Sequence, residues 1–144
     1  MVKVIFASDD GDSLIIEILG INCPGSNGYF TGNWLDGKII FSIGSFGGEI
    51  ASQFHADEFH RFLPEGEKLY KSLNGTAEYN SMGDCLNMKI IGDGRGHIMI
   101  EGSLLGPEEG YNKLHFEIYS DQTCLKSTLE DIRKLCLKYP VLGE

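Results

Sequence analysis

The residues whose types could do chemistry are an acidic turn, a glycine-rich turn, four histidines, a set of glutamates and one group of aromatics. Asp9-Asp10-Gly11-Asp12-Ser13 has the composition of a calcium loop. An EF-hand, however, alternates its oxygen ligands and places glycine sixth and glutamate twelfth, and that spacing is absent. An Asp-Gly hairpin turn is expected instead. Gly92-Asp93-Gly94-Arg95-Gly96-His97 has glycines close enough to cradle a phosphate, but such a cradle opens a helix. Here the alternating stretch His97-Ile98-Met99-Ile100-Glu101 follows, so this too reads as a turn. His55, His60, His97 and His115 are dispersed, and His55 and His60 do not have the i, i+4 spacing of a helical metal pair. Ser26, Ser45 and Cys23 lie outside any Gly-x-Ser-x-Gly elbow. Glu58, Glu65 and Glu67 mix with Arg61, Lys68 and Lys71, the pattern of a solvated helix face. No catalytic residue, metal site or cofactor is expected.

The aromatic group is different. Tyr29, Phe30 and the only tryptophan, Trp34, end a long loop over residues 20–32 that is rich in Gly, Asn, Pro and Ser. Loops of that length in a compact domain are usually functional or mobile. Trp34 leads directly into a strand and is expected to pack in the core. Tyr29 and Phe30 have two readings, a plug at one end of the sheet or anchors of a binding surface. Asp36 follows on the same segment.

Composition narrows the classes. At 144 residues and 42% hydrophobic content the chain is long enough for one buried core, so a single domain over residues 1–144 is expected. Glycine is abundant, 19 of 144, which favours short strands and tight turns. The formal charge is −9; such a field repels nucleic acid and anionic lipid and speeds encounter with basic partners. No apolar run reaches the roughly 20 residues of a membrane span. Cys23, Cys85, Cys124 and Cys136 show no CxxC spacing, so free thiols and a cytoplasmic location are expected.

Periodicity then places the elements. Strands are expected at residues 2–7, 13–19, 38–43, 49–54, 76–81, 86–91, 97–103 and 113–119. One helix is expected from an N-cap at Asp57 to Asn74-Gly75, kinked or divided at Pro64. A second runs from Ser120 or Asp121 to Pro140. Residues 33–40 resemble 84–91, and 50–57 resemble 114–121, which suggests two similar halves. The expected fold is therefore α+β: a twisted antiparallel sheet of about eight strands with two helices packed on it.

A resemblance adds to this. Gly32-Asn33-Trp34-Leu35, Gly44-x-Phe46-x-Gly48, Asp57-Glu58-Phe59, Leu69-Tyr70-x-x-Leu73-x-Gly75-x-Ala77, Gly92-Asp93-Gly94-x-Gly96-His97, Leu114-x-Phe116 and Asp121-Gln122-Thr123 with Tyr139-Pro140-Val141 are together similar to the WapI-like family of bacterial immunity proteins. The resemblance implies a non-enzymatic inhibitor that binds the nuclease domain of a cognate toxin. With the charge, it points to a basic protein partner met by loop aromatics and acids: Tyr29, Phe30, Trp34, Asp36, Glu101, Glu108 and Glu109. Two rivals are a small-ligand domain with an end cavity lined by Trp34 and Phe46, and an enzyme with a cleft of convergent acids and histidines.

Overall fold

Alternation of apolar and polar residues builds the first sheet. In β1 (Val2–Ala7), β2 (Ser13–Ile21), β3 (Trp34–Ile43) and β4 (Phe46–His55) side chains alternate between two faces, and Val4, Phe6, Leu14, Ile16, Leu35, Ile39 and Phe54 are buried on one of them. The strands pair in the order β1-β2-β3-β4, all antiparallel. A four-residue helix, α1 (Tyr29–Gly32), precedes β3. After α2 (Ala56–Ser72) the pattern repeats as β5 (Asn74–Asn80), β6 (Leu86–Asp93), β7 (His97–Leu105) and β8 (Lys113–Asp121), ending in α3 (Gln122–Lys138). The computed structural model describes residues 1–83, 85–106 and 112–143.

The fold is α+β with eight antiparallel strands, as expected, and they divide into two sheets of four. The two halves share their strand order and the pairing at the start of each long helix. Trp34 faces His55, the residue that caps α2, and His97 faces Asp121, the residue that caps α3. The first helical N–H of each half donates back to the residue before its third strand, Ala56 to Asn33 at 2.9 Å and Gln122 to Gly96 at 3.0 Å. The counterpart of β3 is thus β7. Matching residues 33–40 to 84–91 joins β3 to β6 and is corrected, because alternating strands resemble one another whatever their place. Matching 50–57 to 114–121 joins the right strands, β4 and β8.

Two local expectations are also corrected. The N-cap of α2 is His55, whose Nδ1 accepts the Asp57 N–H at 3.2 Å. An imidazole nitrogen can do what the short Asp57 carboxylate was expected to do. Pro64 leaves α2 unbroken over its 17 residues. It is exposed, on the side of the helix where water can take the place of the lost backbone donor. Asp121 caps α3 as expected, accepting the Cys124 N–H at 2.8 Å.

Each helix closes the other half. α2 lies along β5, α3 lies along β1, and the helices pack on each other. Gly66 permits that approach: a Cβ there would stand 2.6 Å from Leu129 Cδ2. Along β1 the side chains of α3 do the work of a neighbouring strand. Thr128 Oγ1 donates to the Ile5 carbonyl at 2.5 Å, and Asp131 Oδ2 accepts the Ile5 N–H at 3.2 Å. All four cysteines are free, and no helix among the described residues is long and apolar enough to cross a membrane.

Thr128 is 2% exposed, so Thr128→Val keeps its volume and leaves the Ile5 carbonyl without its partner. Loss of about 1–2 kcal/mol is expected, read as a lower urea midpoint with an unchanged m-value. An unchanged midpoint would show that the edge of β1 does not need α3.

Candidate functional site

The aromatic segment is built around His55. Asn33 is 2% exposed; its side chain donates to the carbonyls of Tyr29 and Leu142 at 2.8 and 2.9 Å and accepts the Leu142 N–H at 2.9 Å. That ties α1 and the C-terminal segment to the start of β3. His55 is fully buried, with Nδ1 accepting from Asp57 and Nε2 lying 2.9 Å from the Tyr29 carbonyl. An acceptor role for Nδ1 puts the proton on Nε2, which donates to Tyr29. Trp34 is half-buried and meets the His55 ring edge-on at 5.1 Å.

Tyr29 and Phe30 separate in role. The half-buried Tyr29 donates its hydroxyl to Asp57 Oδ2 at 2.5 Å, and Arg61 pairs with the same Asp57 oxygen at 2.7 Å. The Tyr29 hydroxyl and then the Arg61 guanidinium hold the Asp57 carboxyl below its usual range, and the bond to Asp57 raises the Tyr29 phenol. Phe30 is 72% exposed and meets the Tyr29 ring edge-on at 5.0 Å. Of the pair, Phe30 is the one free to meet a partner.

Asp36 accepts from Asn22 Nδ2 at 3.0 Å and Gln53 Nε2 at 3.2 Å. It lies with Trp34 in an open groove of about 630 Å³ that reaches Gly83 and Cys85 on the turn between β5 and β6. Phe46 pairs with Ile43 at the far end of the same hairpin, roughly 30 Å from Trp34 along a strand of this length. The two do not share an end cavity. Glu101 lies elsewhere, on the outward face of β7, in a second groove that begins at Asn80 and Asn87 beyond the same turn. Glu108 and Glu109 lie outside the described residues. The structure therefore brings Tyr29, Phe30, Trp34 and Asp36 together and sets Glu101 apart.

The remaining chemical candidates are engaged in turns and caps. Asp93 Oδ1 takes the N–H groups of Arg95 and His97 at 2.7 and 3.2 Å, and its Oδ2 lies 2.7 Å from His97 Nδ1. These are the amides an anion would need. Asp12 accepts the Gly44 N–H at 3.0 Å, and His60 reaches the Tyr139 carbonyl at 2.9 Å. Asp9, Asp121 and Cys124 come close enough to hold a cation, but Asp121 is there as the helix cap. Glu58 corrects the reading of α2 as carrying its charges on the solvated side. It is 5% exposed, accepting the Tyr79 hydroxyl at 2.7 Å and the Met82 N–H at 2.9 Å. Its place in the i, i+4 row with Phe62 and Gly66 was the signal available in the sequence.

A family model described as the immunity protein WapI-like family matches residues 5–140. The match takes in both halves and begins in β1, well before the motifs near Trp34. No curated protein and no solved structure matches the chain.

Burial raises the pKa of Glu58 more than its two hydrogen bonds lower it. A carboxyl raised in this way supports folding below its unfolded pKa, and that support is lost as pH rises through the folded value. Glu58→Gln sets an amide donor against one of two donors, so a loss of about 1–3 kcal/mol is expected near pH 5. Only the wild type carries the Glu58 contribution, which falls as pH rises above the ordinary glutamate value of 4.5, so the penalty should shrink with rising pH. Urea midpoints of both proteins at rising pH check this, and a penalty that grows with pH would contradict it.

Proposed function

We propose that this chain, which belongs to the WapI-like immunity protein family, acts by binding: it occupies a basic nuclease domain of a cognate toxin in the cytoplasm and carries out no chemistry of its own. The observation that carries this reading is the family match across residues 5–140. The charge of −9 supports a basic partner through faster encounter. The titratable groups that an enzyme would gather in a cleft support it as well. Glu58, His55, Asp57, Asp93 and Asp121 each hold a strand, a turn or a helix end in place.

For the contact itself, Phe30 is the apolar anchor of the proposed surface. Trp34 stands behind it across His55, and Asp36 lies in the adjoining groove. An exposed aromatic on a well-braced segment loses little side-chain freedom on binding, as interface anchors do.

The test begins with a large secreted protein encoded beside this chain's gene. Co-expressing its C-terminal domain with this chain should rescue growth and yield a one-to-one complex on gel filtration. Phe30→Ser should raise the dissociation rate by about tenfold without moving the melting temperature. Growth arrest despite soluble expression of both proteins would sink the reading.

A further inference from the structure

The two halves allow a comparison that needs no second protein. On the outward face of the first sheet one cross-strand row reads Lys3, Glu17, Lys38, Ala51. Its charges are matched. Glu17, only 6% exposed, lies 3.5 Å from Lys3 and 3.8 Å from Lys38, and Lys38 also reaches Glu49 at 2.6 Å. The equivalent row of the second sheet reads Glu78, Lys89, Glu101, Glu117. Three acids face one base there, and none of them forms an ion pair among the described residues.

The arrangement is unfavourable by itself. Glu101 and Glu117 stand directly opposite each other, and like charges in that relation destabilise a sheet. The first sheet has Lys38 opposite Ala51 at this place and no such repulsion. Stability given up locally is common where a surface serves function.

An independent observation lies beside this row. Ser103, between Asn87 and His115 in the register, is 8% exposed; its hydroxyl bonds to none of the described residues and is open to water. It lines an open groove of about 390 Å³ bordered by Lys89, Glu101, His115 and Glu117. On the other side of the acidic row runs an apolar one, Ile91, Met99 and Tyr119, in which Tyr119 is 63% exposed. Tyr119 thus sets an exposed aromatic beside the charged groove, and tyrosine is enriched where proteins meet.

We propose that the outward face of β5–β8 is a second docking surface, apart from the one around Phe30, for the basic side of a protein partner. A lysine or arginine of that partner enters between Glu101 and Glu117 and ends on the Ser103 hydroxyl, while Tyr119 packs beside it. The partner's identity as a toxin domain rests on the function proposed above; the surface is read from this chain's own residues. A basic side chain removes the repulsion between the two glutamates and donates to the Ser103 hydroxyl in place of water.

The test uses a deca-lysine peptide titrated into the isotopically labelled whole chain at low salt, followed by amide chemical shifts. Saturable shifts are expected at Lys89, Glu101, Ser103, His115 and Glu117. The double substitution E101Q/E117Q should weaken binding by about tenfold while leaving the melting temperature equal or higher, since it relieves a repulsion. The control D10N/E130Q removes the same charge from exposed positions elsewhere and should change affinity less than about twofold. Shifts strongest at the Asp9–Asp12 turn, equal weakening by both double variants, or the same shifts produced by magnesium alone would each overturn the proposal. The peptide needs no toxin, so failed growth rescue with an intact peptide response would remove the toxin reading and leave the surface standing.

Discussion

The structure depends on how the edges of its two sheets are closed. A four-stranded meander leaves its first strand with unpaired N–H and C=O groups along one side, and an open edge of this kind invites aggregation. The helix that ends a meander emerges from the opposite edge and lies along the first strand of the other half. Thr128 and Asp131 therefore satisfy Ile5 on β1, and Glu65 of α2 accepts the Glu78 N–H of β5 at 3.4 Å. Because the exchange is reciprocal, one core runs through both halves, from Val4 and Phe6 to Leu135 and Tyr139. Neither sheet is complete without the other half's helix.

This constraint explains which parts of the fold were legible in the sequence. Strand β1 was readable to the residue because Val2, Val4 and Phe6 alternate cleanly. Asp121 and Pro140 marked the ends of α3 because a cap and a missing donor are local effects. The division into two sheets was not readable, since alternation names a buried face but not a neighbouring strand. His55 was missed as a cap because imidazole seldom fills that position. Glu58 was missed because a lone carboxylate on a helix is normally solvated, and only the Tyr79 hydroxyl and the Met82 amide on the facing hairpin make its burial tolerable.

The site was legible to a smaller extent for a related reason. The stretch from Tyr29 to Asp36 stood out by its aromatics, and much of that signal is structural: Tyr29, Asn33 and Trp34 surround His55 and hold α1 to the start of α2. Phe30 alone keeps a large exposed surface. The acidic face of the second sheet had no motif to announce it. Glu78, Lys89, Glu101 and Glu117 are scattered over 40 residues, and only pairing in register makes a row of them. Comparison of the halves gives that row its meaning, because the equivalent row in the first sheet is balanced by Lys3 and Lys38. The two sheets share one strand order and differ in the charge of their outward faces.

In the function proposed above, the chain neutralises a toxin domain by occupying it. The most direct measurement is the residual nuclease activity of the isolated toxin domain as this chain is added in increasing mole ratio, with the toxin well above the dissociation constant. Binding predicts a linear fall that ends in a sharp break at equivalence, with full activity recovered when the complex is dissociated. Complete loss of activity at a small fraction of equivalence, persisting after the two proteins are separated, would show that the chain acts catalytically and would contradict the account.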